Sequence, residues 1–294
     1  MTKTFKQMNT AESSSLMIVD SLNLAFRYKH SRAVDFCDDY MRTVDSLKRS
    51  YKCDKLIIAG DMGSSSYRKA LYPDYKQNRK DKYENQTESE KAEFEAFFAE
   101  VQRILELYAD NAVYPVIRFP GVEADDIAAY IVSRRKQFEL SKIWLMSSDR
   151  DWNLLVDEGV SQFSYVTRKE FTVDNWSEHY EFDRDSYISI KCLMGDSGDN
   201  VPGVPGIGPK KAASLVAEYG TAYDIIAALP ISSKYKYIAN LNSFGAEKLM
   251  LNYQLMDLVT FSEDAVGAEN CKQIDKILQD YLNWQNLTHT WRLK

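Results

Sequence analysis

The sequence predicts an α/β protein with a mostly parallel central sheet flanked by helices, followed by a smaller helical region. Three observations predict it. Short apolar runs at Leu16 to Val19, Lys55 to Ala59, Val113 to Phe119 and Lys142 to Met146 are separated by stretches of helical spacing, the pattern of buried parallel strands. Three of these runs exit directly into acids, at Asp20, at Asp61 and at Asp149 with Asp151, and the other leads into Glu123, Asp125 and Asp126. From Asp185 the pattern turns helical around a loop rich in glycine and proline.

Composition bounds the reading. A chain of 294 residues with 45% hydrophobic content holds one large domain or two and can bury a core. We divide it into a tail over 1–15, expected to be flexible, a sheet region over 16–182 and a helical region over 183–294. A net charge of −6 and a pI near 5.3 argue against a general nucleic-acid coat protein, unless the acids are gathered in one metal-neutralised pocket. The cysteines at 37, 53, 192 and 271 form no C-x-x-C pair, which points to a reducing, cytoplasmic setting. His30, His179 and His289 are equally scattered, so a zinc finger or zinc protease is not expected. The run from Leu16 is stopped by Asp20, which excludes a signal-peptide core or membrane span there.

Taken in order, Leu16 to Asp20 reads as a strand followed by Ser21, Leu22 and Asn23. Residues 35–50 read as a helix through Phe36, Tyr40, Val44 and Leu47, and Lys55 to Asp61 repeats the first strand. Residues 62–82 are the least regular part. They interleave Arg68, Lys69, Lys76, Arg79, Lys80 and Lys82 with Tyr67, Tyr72 and Tyr75, a mixture suited to a phosphate backbone and unstacked bases; the plain alternative is a solvated loop. Residues 84–108 are acidic and helical, with Phe94, Phe97, Phe98, Val101, Leu105 and Tyr108 on the apolar face.

After the third strand, Gly121 following Pro120 marks the expected start of a helix carrying Ile127 and Ile131. Glu123 and Asp126 share one face of it, with Asp125 adjacent; capping and dipole chemistry is the plain account of such acids. The segments 160–166 and 169–173 read as two strands joined at Thr167-Arg168. In the helical region, Gly203, Gly206 and Gly208 with the prolines between them enforce a tight loop, and Pro209 fits the first turn of the next helix. Backbone N–H groups of that loop, with Lys210 and Lys211, suit a phosphate and imply a grip without sequence specificity.

Parallel sheets gather ligands at the carboxyl ends of their strands. Asp20, Asp61, Glu123, Asp125, Asp126, Asp149 and Asp151 would then converge on one rim, with Asp196 and Asp199 reaching back from the Gly/Pro loop. One Asp after a strand is ordinary turn chemistry. So many together either raise one another's pKa or require cations, and oxygen ligands without His or Cys point to Mg²⁺ or Mn²⁺. Such a cluster suits two ions about 3.5 to 4 Å apart, which activate a water and stabilise the leaving oxygen of a phosphodiester.

The paired segments G-V-E-A-D-D and M-G-D-S-G-D-N-V-P-G-V-P-G-I-G-P-K-K resemble those of the flap endonuclease family of 5′-nucleases over roughly residues 16–260. That family includes the 5′-nuclease domain of bacterial DNA polymerase I; length and acidic arch segment are most similar to the stand-alone bacteriophage enzymes. The resemblance implies a PIN-like core, a helical arch over about 64–108 that threads a 5′ single strand, and a helix-three-turn-helix over about 185–220 that grips duplex DNA. It places Asp61, Glu123, Asp125 and Asp126 at a first metal with Asp20 close by, and Asp149, Asp151, Asp196 and Asp199 at a second. Lys76 matches the arch-base lysine at the scissile phosphate, and Arg79 the arginine three residues on. Lys210 and Lys211 match duplex-phosphate contacts, beside a site for K⁺.

On this resemblance two Mg²⁺ ions, replaceable by Mn²⁺, serve hydrolysis of DNA at 5′ flaps, forked or nicked duplexes and RNA-primed duplexes, leaving 5′-phosphates, by a monomer acting in the cytoplasm. Tyr75 is expected to stack on an unpaired base, Arg68 to join the substrate surface, and His30 to be a surface histidine. The last thirty residues match poorly and receive no role. A PIN-type ribonuclease would lack the Gly/Pro hairpin with its lysines, a non-catalytic junction-binding protein would not need the full acid set, and a receiver-like module needs far fewer acids.

Overall fold

The structure is a computed structural model that describes residues 14–291 apart from 32 and 34, with side chains through 282. Its centre is a six-stranded sheet in the order β3-β2-β1-β4-β5-β6. The strands are β1 (Ser14–Asp20), β2 (Lys55–Ala59), β3 (Val116–Ile117), β4 (Leu140–Met146), β5 (Val160–Ser164) and β6 (Lys169–Phe171). All neighbours are parallel except β5 and β6. Register brings the exits level: Asp20 lies opposite Ala59, and Val19 opposite Met146. The acids that follow therefore leave the sheet on one side.

Side chains of β1 alternate between two cores, as the period of a strand requires. Met17 and Val19 pack with α1 (Ser21–His30), α2 (Cys37–Ser50) and α5 (Glu88–Asp110), through Leu24, Tyr40, Val44, Val101 and Leu105. Leu16 and Ile18 pack on the other face with α6 (Ala124–Ser133) and with Ile274 and Leu278 of α13 (Ala268–Trp291). The described part of the last thirty residues thus acquires a structural role: α13 covers the sheet, and Lys55 of β2 donates to the Tyr281 carbonyl at 3.0 Å. A separate core joins α8 (Tyr187–Met194), α9 (Pro209–Tyr219), α10 (Ala222–Ala228) and α11 (Lys236–Met256), through Leu193, Leu215, Ile225 and Leu241. Among the described residues no helix is long and apolar enough to cross a membrane.

Several expectations shift. Ser14 and Ser15 belong to β1, with Ser15 bonded to Asp54, so the expected tail is two residues shorter; residues 1–13 lie outside the described residues. Helix α1 starts straight after β1 because Asp20 caps it, accepting the Asn23 N–H at 3.0 Å. Residues 62–82 hold two short helices, α3 (Ser66–Leu71) and α4 (Gln77–Glu84), not an irregular loop. Helix α6 begins at Ala124 rather than Gly121, which sits in a turn at φ +71° where a Cβ would fall 2.0 Å from Ser66 Oγ. A short helix α7 (Trp176–His179) and the helix α12 (Ser262–Val266) complete the chain.

Candidate active site

A cavity of about 1230 Å³ opens over the carboxyl ends of the strands. Asp20, Asp61, Glu123, Asp125, Asp149, Asp151, Asp196 and Asp199 line it, together with Lys76 and Arg79. Each acid is aimed by a local bond. Asp20 accepts from Asn23 N–H and from the Ser147 hydroxyl at 2.8 Å. Asp61 accepts the Ala124 N–H at 2.9 Å, which joins the end of β2 to the first turn of α6. Asp149 receives the Asp151 N–H at 2.9 Å, and Asp196 the Gly198 N–H at 2.8 Å.

Charge at this rim is unbalanced. Burial, with Asp61 adding to it, pushes the Asp20 carboxyl up to about 8. Burial raises Asp61 too, and burial with the neighbouring Asp126 raises Asp125 well above the usual carboxylate range. Asp151 is pushed up to about 6 by burial despite the ion pair it makes with Lys191. Glu123 and Asp199 go the other way. Burial opposes their charge, but Lys76 beside both, helped by Arg68 at Glu123 and Arg79 at Asp199, outweighs it and holds both carboxyls low.

The start of α4 and the loop before α9 meet at those two acids. Lys76 Nζ lies 2.7 Å from Glu123 Oε1 and 3.7 Å from Asp199 Oδ2, and Arg79 donates to Asp199 Oδ1 at 2.5 Å. Lys76 takes a left-handed backbone (φ 56°), and its N–H donates to the Asp199 carbonyl at 2.9 Å. Asn78 donates to the Ser197 carbonyl at 2.8 Å and Asn200 to that of Asp74 at 2.8 Å. The Gly/Pro loop is itself pinned by Asn252 of α11, which donates to the Cys192 and Pro202 carbonyls. Lys210 and Lys211 stand exposed on the first turn of α9, away from the acids; Lys211 bonds the Gly206 carbonyl at 2.8 Å and lies over the Tyr237 ring.

Three expected site residues are placed differently. Tyr75 is 2% exposed and its hydroxyl bonds Glu123 and Asp199, both at 2.9 Å, so it has no face free for a base. Arg68 is 3% exposed, forked onto Asp126 and not on a substrate surface. Asp126 does not line the cavity, because Arg68 holds both its oxygens. His30 packs against Phe26 outside the cavity lining. Lys191 escaped the sequence reading. It is buried between Asp151 and Asp196, and its one signal was a lone lysine inside the apolar run Tyr187–Met194. Ser147, fully buried, also went unseen, since only tertiary contact links it to Asp20, while its hydroxyl accepts the nearby Asp149 N–H.

The donor set suits hard divalent cations. Every acid offers oxygen, and one oxygen each of Glu123, Asp125 and Asp126 lies within 4.8 Å of the other two, although both Asp126 oxygens are taken by Arg68. Burial and mutual repulsion raise several carboxyls here, an effect that a bound cation opposes.

Comparison with known proteins agrees with this geometry. The profile of the 5′-3′ exonuclease N-terminal resolvase-like domain matches residues 15–181, and that of the 5′-3′ exonuclease C-terminal SAM fold matches residues 182–280. A flap endonuclease of Escherichia phage T5 is 41% identical over 279 residues, 94% of either chain. A 5′-3′ exonuclease of Aquifex aeolicus is 27% identical over 233 residues, 79% of this chain and 74% of that protein. A solved bacteriophage T5 flap endonuclease, in a pseudo-enzyme-product complex with DNA and metal ions, superposes with a TM-score of 0.85 at 40% identity, over 92% of this chain and 99% of that one. With both regions matched in order and a flap endonuclease aligned along nearly the whole length, the chain belongs to the 5′-3′ exonuclease family.

Proposed function

We propose that the chain is a structure-specific 5′-nuclease that hydrolyses DNA phosphodiesters where a 5′ single strand meets duplex, leaving 5′-phosphates, during DNA replication. The observation that carries this is the convergence of the acids on the same cavity as Lys76 and Arg79. Asp61, Glu123 and Asp125, with Asp20 close by, would hold one Mg²⁺, and Asp149, Asp151, Asp196 and Asp199 a second; Mn²⁺ would substitute. Bound there, such ions supply an activated water and neutralise the leaving oxygen. The protein does the rest. Lys76 and Arg79, now paired with Glu123 and Asp199, are within reach of a phosphate at the acids and offer it donors as its charge builds. Lys191 keeps Asp151 and Asp196 together. Lys210 and Lys211 grip the duplex behind the junction by its phosphates, with K⁺ in the neighbouring loop.

Substrates on this reading are 5′-flap, forked, nicked and RNA-primed duplexes, cut by a monomer in the cytoplasm of the cell that makes it. An end-labelled 5′-flap duplex, incubated with pure protein and Mg²⁺ and resolved by electrophoresis, is expected to yield a cut near the junction that EDTA abolishes. Tight flap binding with no cleavage in Mg²⁺ or Mn²⁺ would overturn the proposal in favour of a binding protein.

A further inference from the structure

Asp126 sits in the acid motif yet is fully buried and turned from the cavity that the other acids line. Its Oδ2 accepts from Arg68 Nη1 and its Oδ1 from Arg68 Nη2, both at 2.7 Å, a fork-on-fork pair. The same guanidinium donates through Nε to the Leu255 carbonyl at 2.7 Å, and Nη1 lies 3.5 Å from Glu123 Oε2. One arginine on α3 therefore ties α6 to α11, beside two carboxylates that do face the cavity. A divalent ion that took an Asp126 oxygen would have to strip it from Arg68 and leave a buried guanidinium without its partner, which is costly.

We infer that Arg68 and Asp126 form a closed pair that positions Glu123 and Asp125 for a divalent ion, with Asp126 itself giving the ion no oxygen. This rests on the two-ion reading of the site proposed above. The pair is electrically neutral as a unit, so its removal as a unit leaves the net charge behind the cavity unchanged, and Glu123, which loses the 3.5 Å contact with Arg68, keeps Lys76. Removal of Asp126 alone leaves an uncompensated cation one residue behind the ligands. The two readings of Asp126 consequently differ in whether a second substitution can restore what the first takes away.

Mg²⁺ binding to the full-length protein, measured by calorimetry, separates them. Wild type is expected to bind two ions. Asp126→Asn is expected to weaken the tighter site about tenfold, the scale of a lost supporting contact. Adding Arg68→Met to Asp126→Leu, which replaces the pair by apolar groups, is expected to return affinity to within about threefold of wild type with two ions still bound. If Asp126 is a ligand, the double variant stays at least as weak as the single one or loses an ion, and the inference falls. Should Asp126→Asn fail to fold, the double variant decides alone on the same criterion. Cleavage kinetics add a readout of position. The double variant is expected to lower kcat with KM for the flap unchanged, because Arg68 touches no substrate; a raised KM with kcat retained would overturn the assignment. Fewer than two ions on wild type would refute the two-ion reading, while the single-to-double comparison at the remaining ion still judges the pair.

Discussion

Asp149 shows how much one atom can matter at this rim. It is exposed and its carboxylate accepts the Asp151 N–H, while its carbonyl is held by Gln162, so Asp149→Asn keeps size and burial while removing a charge. Stability is expected to change by no more than about 0.5 kcal/mol. Turnover is expected to fall at least about 100-fold, with duplex affinity nearly intact. Parallel thermal melts, gel-shift assays and rate measurements check the three statements, and full activity in the variant would remove Asp149 from the metal site. The acids were legible one by one in the sequence because each follows an apolar run, but their bonding was not. Spacing cannot show that Arg68 and Tyr75 turn inward, since a basic and aromatic segment reads the same whether its members face water or anchor a buried network.

At the scale of elements, two junctions carry the geometry. The first is the hairpin between α8 and α9, where Gly195 and Gly203 meet back to back. A Cβ on Gly203 would lie 1.8 Å from the Met194 carbonyl oxygen, with backbone on the other side that cannot yield. Gly203→Ala is expected to disrupt the hairpin, lowering duplex affinity and the thermal midpoint together; a variant with both unchanged would show that the loop tolerates the opening. The second is the start of α2, where Phe36 offers no capping side chain and Glu100 of α5 accepts the Cys37 N–H instead, at 3.0 Å.

Glu100 is held below its ordinary carboxyl value chiefly by its hydrogen bond with Arg103. A depressed carboxylate contributes stability that is complete above its unfolded value of about 4.3 and is lost as pH falls through the folded one. Glu100→Gln is therefore expected to cost about 0.5 kcal/mol at neutral pH, solvent screening its pair with the half-exposed Arg103, and less as the pH drops below about 4. Denaturant unfolding of both proteins at the two pH values measures the difference. The sequence reading found the long helix that carries Glu100, whose apolar period runs over many turns, but not α1, α3 or α4. These are short, and what holds them is tertiary: the Asp20 cap, the Arg68 fork and the bonds from Lys76 and Asn78 to the hairpin loop.

For the molecule as a whole, the lysines at the start of α9 are kept apart from the cavity acids, several of which are paired instead with Lys76 and Lys191. Lys210 and Lys211 stand exposed on α9, outside the cavity that holds the carboxylates, and on the proposed function they let a chain of net charge −6 offer phosphates a favourable surface. Lys210→Ala with Lys211→Ala is expected to weaken duplex binding across sequences alike and to flatten its dependence on salt by a slope of about 1 to 2. Affinities measured over a range of KCl concentrations give that slope, and an unchanged one would place the duplex elsewhere. The parallel sheet was legible because its strands are continuous apolar runs. The role of the last thirty residues was not, because an amphipathic helix does not announce which distant surface it will cover.

That helix sets an order of events. Ile274 and Leu278 complete the floor beneath strands made from the first sixty residues, so a growing polypeptide presents its strands long before their cover arrives. Synthesis proceeds from the amino end, and an uncovered apolar sheet is a target for chaperones and proteases. A chain stopped before α13 would hold all the cavity acids on a sheet that lacks part of its cover.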